Sequence, residues 1–184
     1  MPPPLLRVAI VGPESCGKST LAQALQVRLE CCGVAAVRVD EYARAYYAQR
    51  EYRPCLQDVI AIARGQLVAE RNGALLHPRV LLCDSTVLTC AVWADVAFGV
   101  SVAEFAAQFD SPGYDLTLLA CPDIPWAADP LRTHPHARNE LLQRYRVALA
   151  AAGVAAVEIR GEGLARERLA WQALRQNLPE LPKI

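Results

Sequence analysis

Short apolar runs alternate along this chain with longer stretches whose apolar residues return every three or four positions. Leu6 to Val11 is a largely apolar run that stops at a glycine-containing turn, which predicts a strand buried on both faces. Lys18 to Cys32 carries Leu21, Leu25 and Leu29 on one stripe and then meets Gly33, which predicts a helix and its end. A second apolar, β-branched run spans Val34 to Val39, and Glu41 to Gln49 reads as a short helix or ordered loop. After Pro54, the residues Leu56, Val59, Ile60, Ala63 and Leu67 fall at helical spacing, and Pro78 breaks that helix. Arg79 to Cys83 predicts a third strand ending at Asp84, followed by helices over Val87 to Phe98 and Val102 to Phe109. Leu116 to Ala120 predicts a fourth strand, Asn139 to Ala152 a helix closed by Gly153, and Val154 to Ile159 a fifth strand. Leu164 to Leu178 predicts the last helix, with Leu164, Trp171, Leu174 and Leu178 on one stripe.

Five apolar strands separated by helices imply an α/β fold, a parallel sheet with helices on both faces. The segment from Cys121 to Pro135 holds four prolines and predicts a loop or lid. No repeat or linker divides the 184 residues, so they read as one domain with a core from about residue 6 to residue 178. Met1 to Pro4 and Pro179 to Ile184 read as loose ends.

Composition narrows the partners. A hydrophobic fraction of 53% supplies a sizeable core. Nineteen basic and 19 acidic side chains cancel, which argues against a general nucleic-acid or acidic-membrane surface. No apolar run approaches the roughly 20 residues of a membrane span, and the Met1-Pro2-Pro3-Pro4 start does not read as a signal peptide. Seven cysteines with no Cys-x-x-Cys pair support neither a zinc ribbon nor a thioredoxin motif. Most of them read as small buried hydrophobes in a reduced, cytoplasmic protein. Nothing in the sequence sets the oligomeric state.

The chemistry begins at Gly12-Pro13-Glu14-Ser15-Cys16-Gly17-Lys18-Ser19, a full match to the phosphate-binding loop, with Thr20 following on the first helix. Gly12 and Gly17 let the backbone wrap closely and turn its N–H groups inward. Lys18 can reach the β- and γ-phosphates, Ser19 can offer its hydroxyl to Mg2+, and the helix start adds a favourable field. A guanine-specific Asn-Lys-x-Asp segment is absent from the sequence, so ATP is the expected nucleotide. Asp84 stands where an acid can hold Mg2+ through water, or cap the helix that follows. Asp40 and Glu41 end the second strand, where ligands sit in open α/β sheets, and Glu41 is the candidate base for an acceptor hydroxyl. The other reading makes the pair a cap or a partner for Arg44. The lid carries Arg132, His134, His136 and Arg138; arginines over the phosphates would stabilise a transferring phosphoryl group, and a solvated basic loop is the alternative. The two histidines lack an apparent third metal ligand. Trp93, Trp126, Tyr42, Tyr46 and Tyr47 could stack on an aromatic substrate ring or pack in the core.

These residues together resemble the ribosylnicotinamide kinase domain of the NadR family over about residues 6 to 175. Gly12 to Leu21 resembles that family's Gly-Gly-Glu-Ser-Ser-Gly-Lys-Ser-Thr-Leu. Glu41-Tyr42-Ala43-Arg44 resembles its Glu-Tyr-Gly-Arg, and Ile60 to Gln66 a segment ending in His-x-Gln. Asp84 and Thr89 resemble positions of its Asp-Thr-Asp-x-x-Thr, and Pro125 to Arg132 its Pro-Trp-Val-x-Asp-Gly-x-Arg. The resemblance implies a P-loop NTPase fold with a lid, and transfer of the ATP γ-phosphate to the 5′-hydroxyl of nicotinamide riboside. It implies Lys18, Glu41, Asp84 and Arg132 as catalytic positions, Ser19 and Asp84 at Mg2+, and Asp40, Tyr42, Arg44, Gln66, Trp126 and Asp129 around the nucleoside. Longer members add DNA-binding and adenylyltransferase domains; neither fits within these 184 residues, so those two activities are expected to be absent. Asp40 and Leu67 stand where the family often has the aromatics that sandwich the nicotinamide ring, Thr86 replaces the second Asp, and Pro130 replaces a lid Gly. A kinase for another nucleoside, or a regulatory ATP-binding switch, is the alternative.

Overall fold

In the computed structural model, which describes residues 4–182, the chain alternates strand and helix as β1 (Leu6–Val11), α1 (Lys18–Cys31), β2 (Ala36–Val39), α2 (Tyr42–Tyr47), α3 (Leu56–Ala74), β3 (Val80–Asp84) and α4 (Val87–Phe98). It continues as α5 (Val102–Ala106), β4 (Leu116–Ala120), α6 (Arg138–Ala151), β5 (Ala156–Ile159) and α7 (Leu164–Asn177). The five strands form one parallel sheet in the order β2-β3-β1-β4-β5. The three central strands are almost wholly buried because helices cover both faces, which is why they read as continuous apolar runs. The edge strands are shorter and half-exposed, with Arg38 and Glu158 among their residues.

Alternation along β1 divides the core. Val8 and Ile10 pack with Leu25, Leu29, Trp171 and Leu174 beneath α1 and α7. Ala9 and Val11 pack with Val92, Leu142 and Tyr145 beneath α4 and α6. A third apolar cluster joins α3 to α4 through Val59, Ile62, Ala91 and Phe105.

Some expectations shift. The second strand begins at Ala36 rather than Val34, and the helix from Val102 stops at Ala106. Cys31, Cys32 and Cys55 are exposed rather than buried, because they fall at helix ends; Cys16, Cys83, Cys90 and Cys121 are buried, and all seven are free thiols. Leu164 is 65% exposed and leaves the predicted stripe, while Arg166, two residues on, is buried at 5% exposure. The segment after α7 is held rather than loose: Leu181 is buried, and Trp171 Nε1 donates to the Pro182 carbonyl at 3.0 Å. Met1 to Pro3, Lys183 and Ile184 lie outside the described residues. Among the described residues no helix is long and apolar enough to cross a membrane.

Candidate active site

The turn from β1 into α1 is built on backbone that only certain residues accept. Gly12 has φ +143, and a Cβ there would lie 2.5 Å from the Ala120 carbonyl oxygen. Gly17 has φ 75 at the start of α1, where no side chain caps the helix and no acid lies in its first turn. The leading N–H groups of α1 are therefore left for an anion. Lys18 Nζ donates to the carbonyls of Gly12 at 2.9 Å and Pro13 at 2.7 Å, so the ammonium folds back over its own loop. Burial works against its charge, but Cys16, Tyr145, Glu41 and Asp84 outweigh burial and raise its pKa above the ordinary lysine value.

Strand register brings the next acid beside this loop. Ile10 pairs with Asp84, and the Ser85 N–H donates to the Ile10 carbonyl at 3.0 Å. Asp84 is 1% exposed and its Oδ1 has no hydrogen-bond partner. Burial pushes the carboxyl above the ordinary range, Lys18 and the Ser19 hydroxyl pull it down, and Glu41 and Asp40 push it up again.

A cavity of about 150 Å³ opens over the loop, and residues from Gly12 to Thr20, Glu41, Arg44, Arg132 and His134 line it. Glu41 precedes the first turn of α2, and Arg44 Nε lies 3.4 Å from its Oε2. Arg44 also reaches the lid, with Nη1 2.9 Å from Asp129 Oδ2. Burial acts to raise the Asp129 carboxyl, but the Leu131 N–H and Arg44 prevail and hold it below the ordinary value. Arg132 Nη1 donates to the Ala127 carbonyl at 2.6 Å, and its N–H to the Asp129 carbonyl at 3.0 Å. The Asp129 carboxylate thus engages Arg44, and its backbone engages Arg132.

The lid rests on the phosphate loop itself. Glu14 Oε2 accepts from the N–H groups of Thr133 at 2.9 Å and His134 at 3.0 Å. Ser15 Oγ accepts from the Ala127 N–H at 2.8 Å, and Arg138 Nη1 donates to the carbonyls of Ser15 and Ile124 at 3.2 and 2.8 Å. The side chains of Glu14 and Ser15 are therefore engaged by the lid. No group of three or more His, Cys, Asp and Glu residues gathers as a metal cage among the described residues.

The remaining positions separate. Asp40, its side chain 68% exposed, pairs with Arg38 at 2.7 Å and lies outside the cavity lining. Gln66 is buried, accepting from the Tyr42 N–H at 3.0 Å and donating to the Ser85 carbonyl at 3.2 Å. It braces α2 against the end of β3. Tyr46 donates to Asp58 Oδ1 at 2.7 Å, and Leu67 packs in the core. Trp126 sits beneath the Arg138 guanidinium at 5.8 Å, outside the main cavity lining. Four aromatic residues line the cavity, Tyr47, Tyr52, Trp93 and Tyr145, and of these Tyr52 and Trp93 stack, ring centroids 6.2 Å apart and planes within 8° of parallel. Tyr52 was not a sequence candidate; its only signal is an aromatic in a short polar stretch before Pro54. Burial and the carboxylates of Glu14 and Glu41 push its phenol up to about 12.

A strained glycine loop at the carboxyl end of the central strand, opening an uncapped helix beneath a lid, defines a P-loop nucleotide-binding α/β protein. The sequence model of the AAA domain family matches residues 7–168, and the chain belongs to that family. Two solved structures share its fold: a NadR protein in complex with NAD and AMP-PNP, and a NadR protein in complex with NR, both at a TM-score of 0.76. Their sequences are 21% and 22% identical to this one over 93% of its length, and this chain spans 49% of each of theirs. No curated protein matches at the level of sequence.

Proposed function

We propose that this domain transfers the γ-phosphoryl group of ATP to a hydroxyl of a nucleoside-like small molecule, with the 5′-hydroxyl of nicotinamide riboside as the first candidate. The observation that carries this reading is the shared cavity: the phosphate loop forms one wall, and Glu41 with the Tyr52–Trp93 pair forms the other. A hydrolytic switch needs only the first wall. The NadR proteins of the same fold, one with AMP-PNP and one with NR, support both halves of the assignment.

The geometry supports the following roles. The amides of the loop and the start of α1 bind the polyphosphate, and Lys18 exchanges its two loop carbonyls for phosphate oxygens. Glu41 accepts the proton of the attacking hydroxyl, while Arg44 holds that carboxylate in place. Arg132, on the lid, faces the same cavity and meets the charge that spreads over the moving phosphoryl group. Ser19 and Asp84 would hold Mg2+, and the unpartnered Asp84 Oδ1 fits that use. When bound, the ion neutralises charge shared between the β- and γ-phosphates. Tyr52 and Trp93 offer apolar faces to a flat ring. A cytoplasmic setting, with ATP at hand and thiols kept reduced, accords with seven free cysteines.

The test is a coupled assay over a panel of nucleosides. ATP consumption that rises with nicotinamide riboside and yields the mononucleotide is the expected result. Turnover indifferent to every nucleoside sinks the kinase reading in favour of a switch.

A further inference from the structure

Arg166 belongs to no motif, yet it is buried behind the phosphate loop. Its Nη2 donates to the Cys16 carbonyl at 2.7 Å. Its Nη1 donates to the Cys121 carbonyl at 3.1 Å and to the Gly161 carbonyl at 3.0 Å. One guanidinium thus ties together the phosphate loop, the end of β4 and the turn after β5. Among the described residues no carboxylate lies within ion-pair distance of it: Glu158 takes Arg146 and Arg160, and Asp123 accepts from the Gly161 N–H.

Two physical consequences follow. A peptide unit is planar and trans, so its C=O and N–H point in opposite directions. Holding the Cys16 carbonyl toward Arg166 turns the Gly17 N–H away from it, and Gly17 lines the cavity. The fork therefore sets the direction of an amide that an anion would use. Second, a buried cation with only carbonyl dipoles around it is costly, and an anion arriving on the far side of the Cys16–Gly17 peptide offsets that cost.

We infer that Arg166 is a positioning residue for the nucleotide's phosphates, fixing the Gly17 amide and placing a fixed positive charge behind the loop. It rests on the ATP-binding half of the proposed function and is independent of the acceptor.

The experiment measures binding of ATP, ADP, AMP and adenosine to the wild-type chain, Arg166→Met and Arg166→Lys, by calorimetry, alongside thermal melts. In Arg166→Met, ATP binding weakens by roughly tenfold or more, the scale of one charge-assisted hydrogen bond, with a smaller loss for ADP and AMP and none for adenosine. Its apo melting temperature falls, because three carbonyls lose their donor, and the shift on adding ATP shrinks as well. Arg166→Lys keeps the charge and loses the fork, so it falls between the two. Equal losses for ATP and adenosine, or unchanged ATP affinity in either folded variant, overturn the proposal. If Arg166→Met does not fold, Arg166→Lys decides it by the same split. Should the wild-type chain bind ATP and phosphorylate no nucleoside, the kinase reading fails while Arg166 keeps its role. A wild-type chain that binds no ATP ends both.

Discussion

Asp84 stands almost sealed at the end of β3 with one oxygen unpartnered, and burial pushes its carboxyl above the ordinary range. A native pKa raised above the unfolded value means that the ionised group costs stability. That cost is absent below the unfolded pKa and complete above the native one. Asp84→Asn is therefore expected to raise the apo melting temperature near neutral pH by roughly 2–4 °C, the scale of about 1 kcal/mol in a chain of this size. The gain disappears as pH falls below the ordinary carboxylate range. The same variant should lose the Mg2+-dependent part of ATP binding, read by titrating ATP with and without the ion. Glu41 lines the cavity and calls for a different signature. Glu41→Gln should lower transfer by at least roughly tenfold while ATP affinity holds; unchanged transfer would remove Glu41 from the base role. Replacing Tyr52 or Trp93 by Ala should raise the acceptor KM by roughly tenfold, given about 0.5–1.5 kcal/mol per aromatic contact beyond area burial, and leave the ATP KM unchanged. Asp40→Ala should do neither, since that side chain pairs with Arg38 outside the cavity.

Among elements, α2 and α3 decide where Glu41 stands. Gly65 lies on α3 directly under the Tyr42 ring, and a Cβ there would sit 2.1 Å from a Tyr42 ring carbon. Gln66, the next residue, accepts the Tyr42 N–H. Gly65→Ala must push Tyr42 aside, and with it the start of α2 that carries Glu41. Overpacking of this kind costs about 1–3 kcal/mol. The expected outcome is a lower melting temperature and a lower transfer rate, with ATP binding retained; transfer at the wild-type rate would mean that α2 does not position the base. The type of α3 was legible because Leu56, Val59, Ala63 and Leu67 keep helical spacing over about three turns. The role of Gly65 was not, since nothing local to a mid-helix glycine says which side chain lies over it. The lid shows the same division. Its prolines announced an irregular segment, but the bonds from Thr133, His134 and Ala127 to Glu14 and Ser15 exist only once the chain has folded.

Across the whole molecule, stability and function draw on the same central strands. Trp171 is fully buried between α7 and the sheet, with the Arg28 guanidinium 4.6 Å over its ring and its Nε1 bonded to Pro182. Trp171→Ala should destabilise the fold by about 3–5 kcal/mol in denaturant titration, without a specific effect on the acceptor KM of whatever remains folded. The strand order puts β1 between β3 and β4, which sets the phosphate loop between Asp84 and the lid.

The sequence by itself determined the phosphate loop, the five strands and the helices between them, because each depends on neighbours within a turn or a strand. Glycine conformations, apolar periodicity and the chemistry of Lys18 and Ser19 are local properties. Tertiary structure alone decided that Tyr52 joins Trp93 in the cavity, while Asp40 lies outside its lining and Leu67 packs in the core. It also decided that Arg166 is buried where Leu164 was expected. Periodicity tells which side of a helix faces inward only when that side is apolar. An inward arginine is invisible to it, because its partners are backbone carbonyls, two of them from distant segments at Cys16 and Cys121.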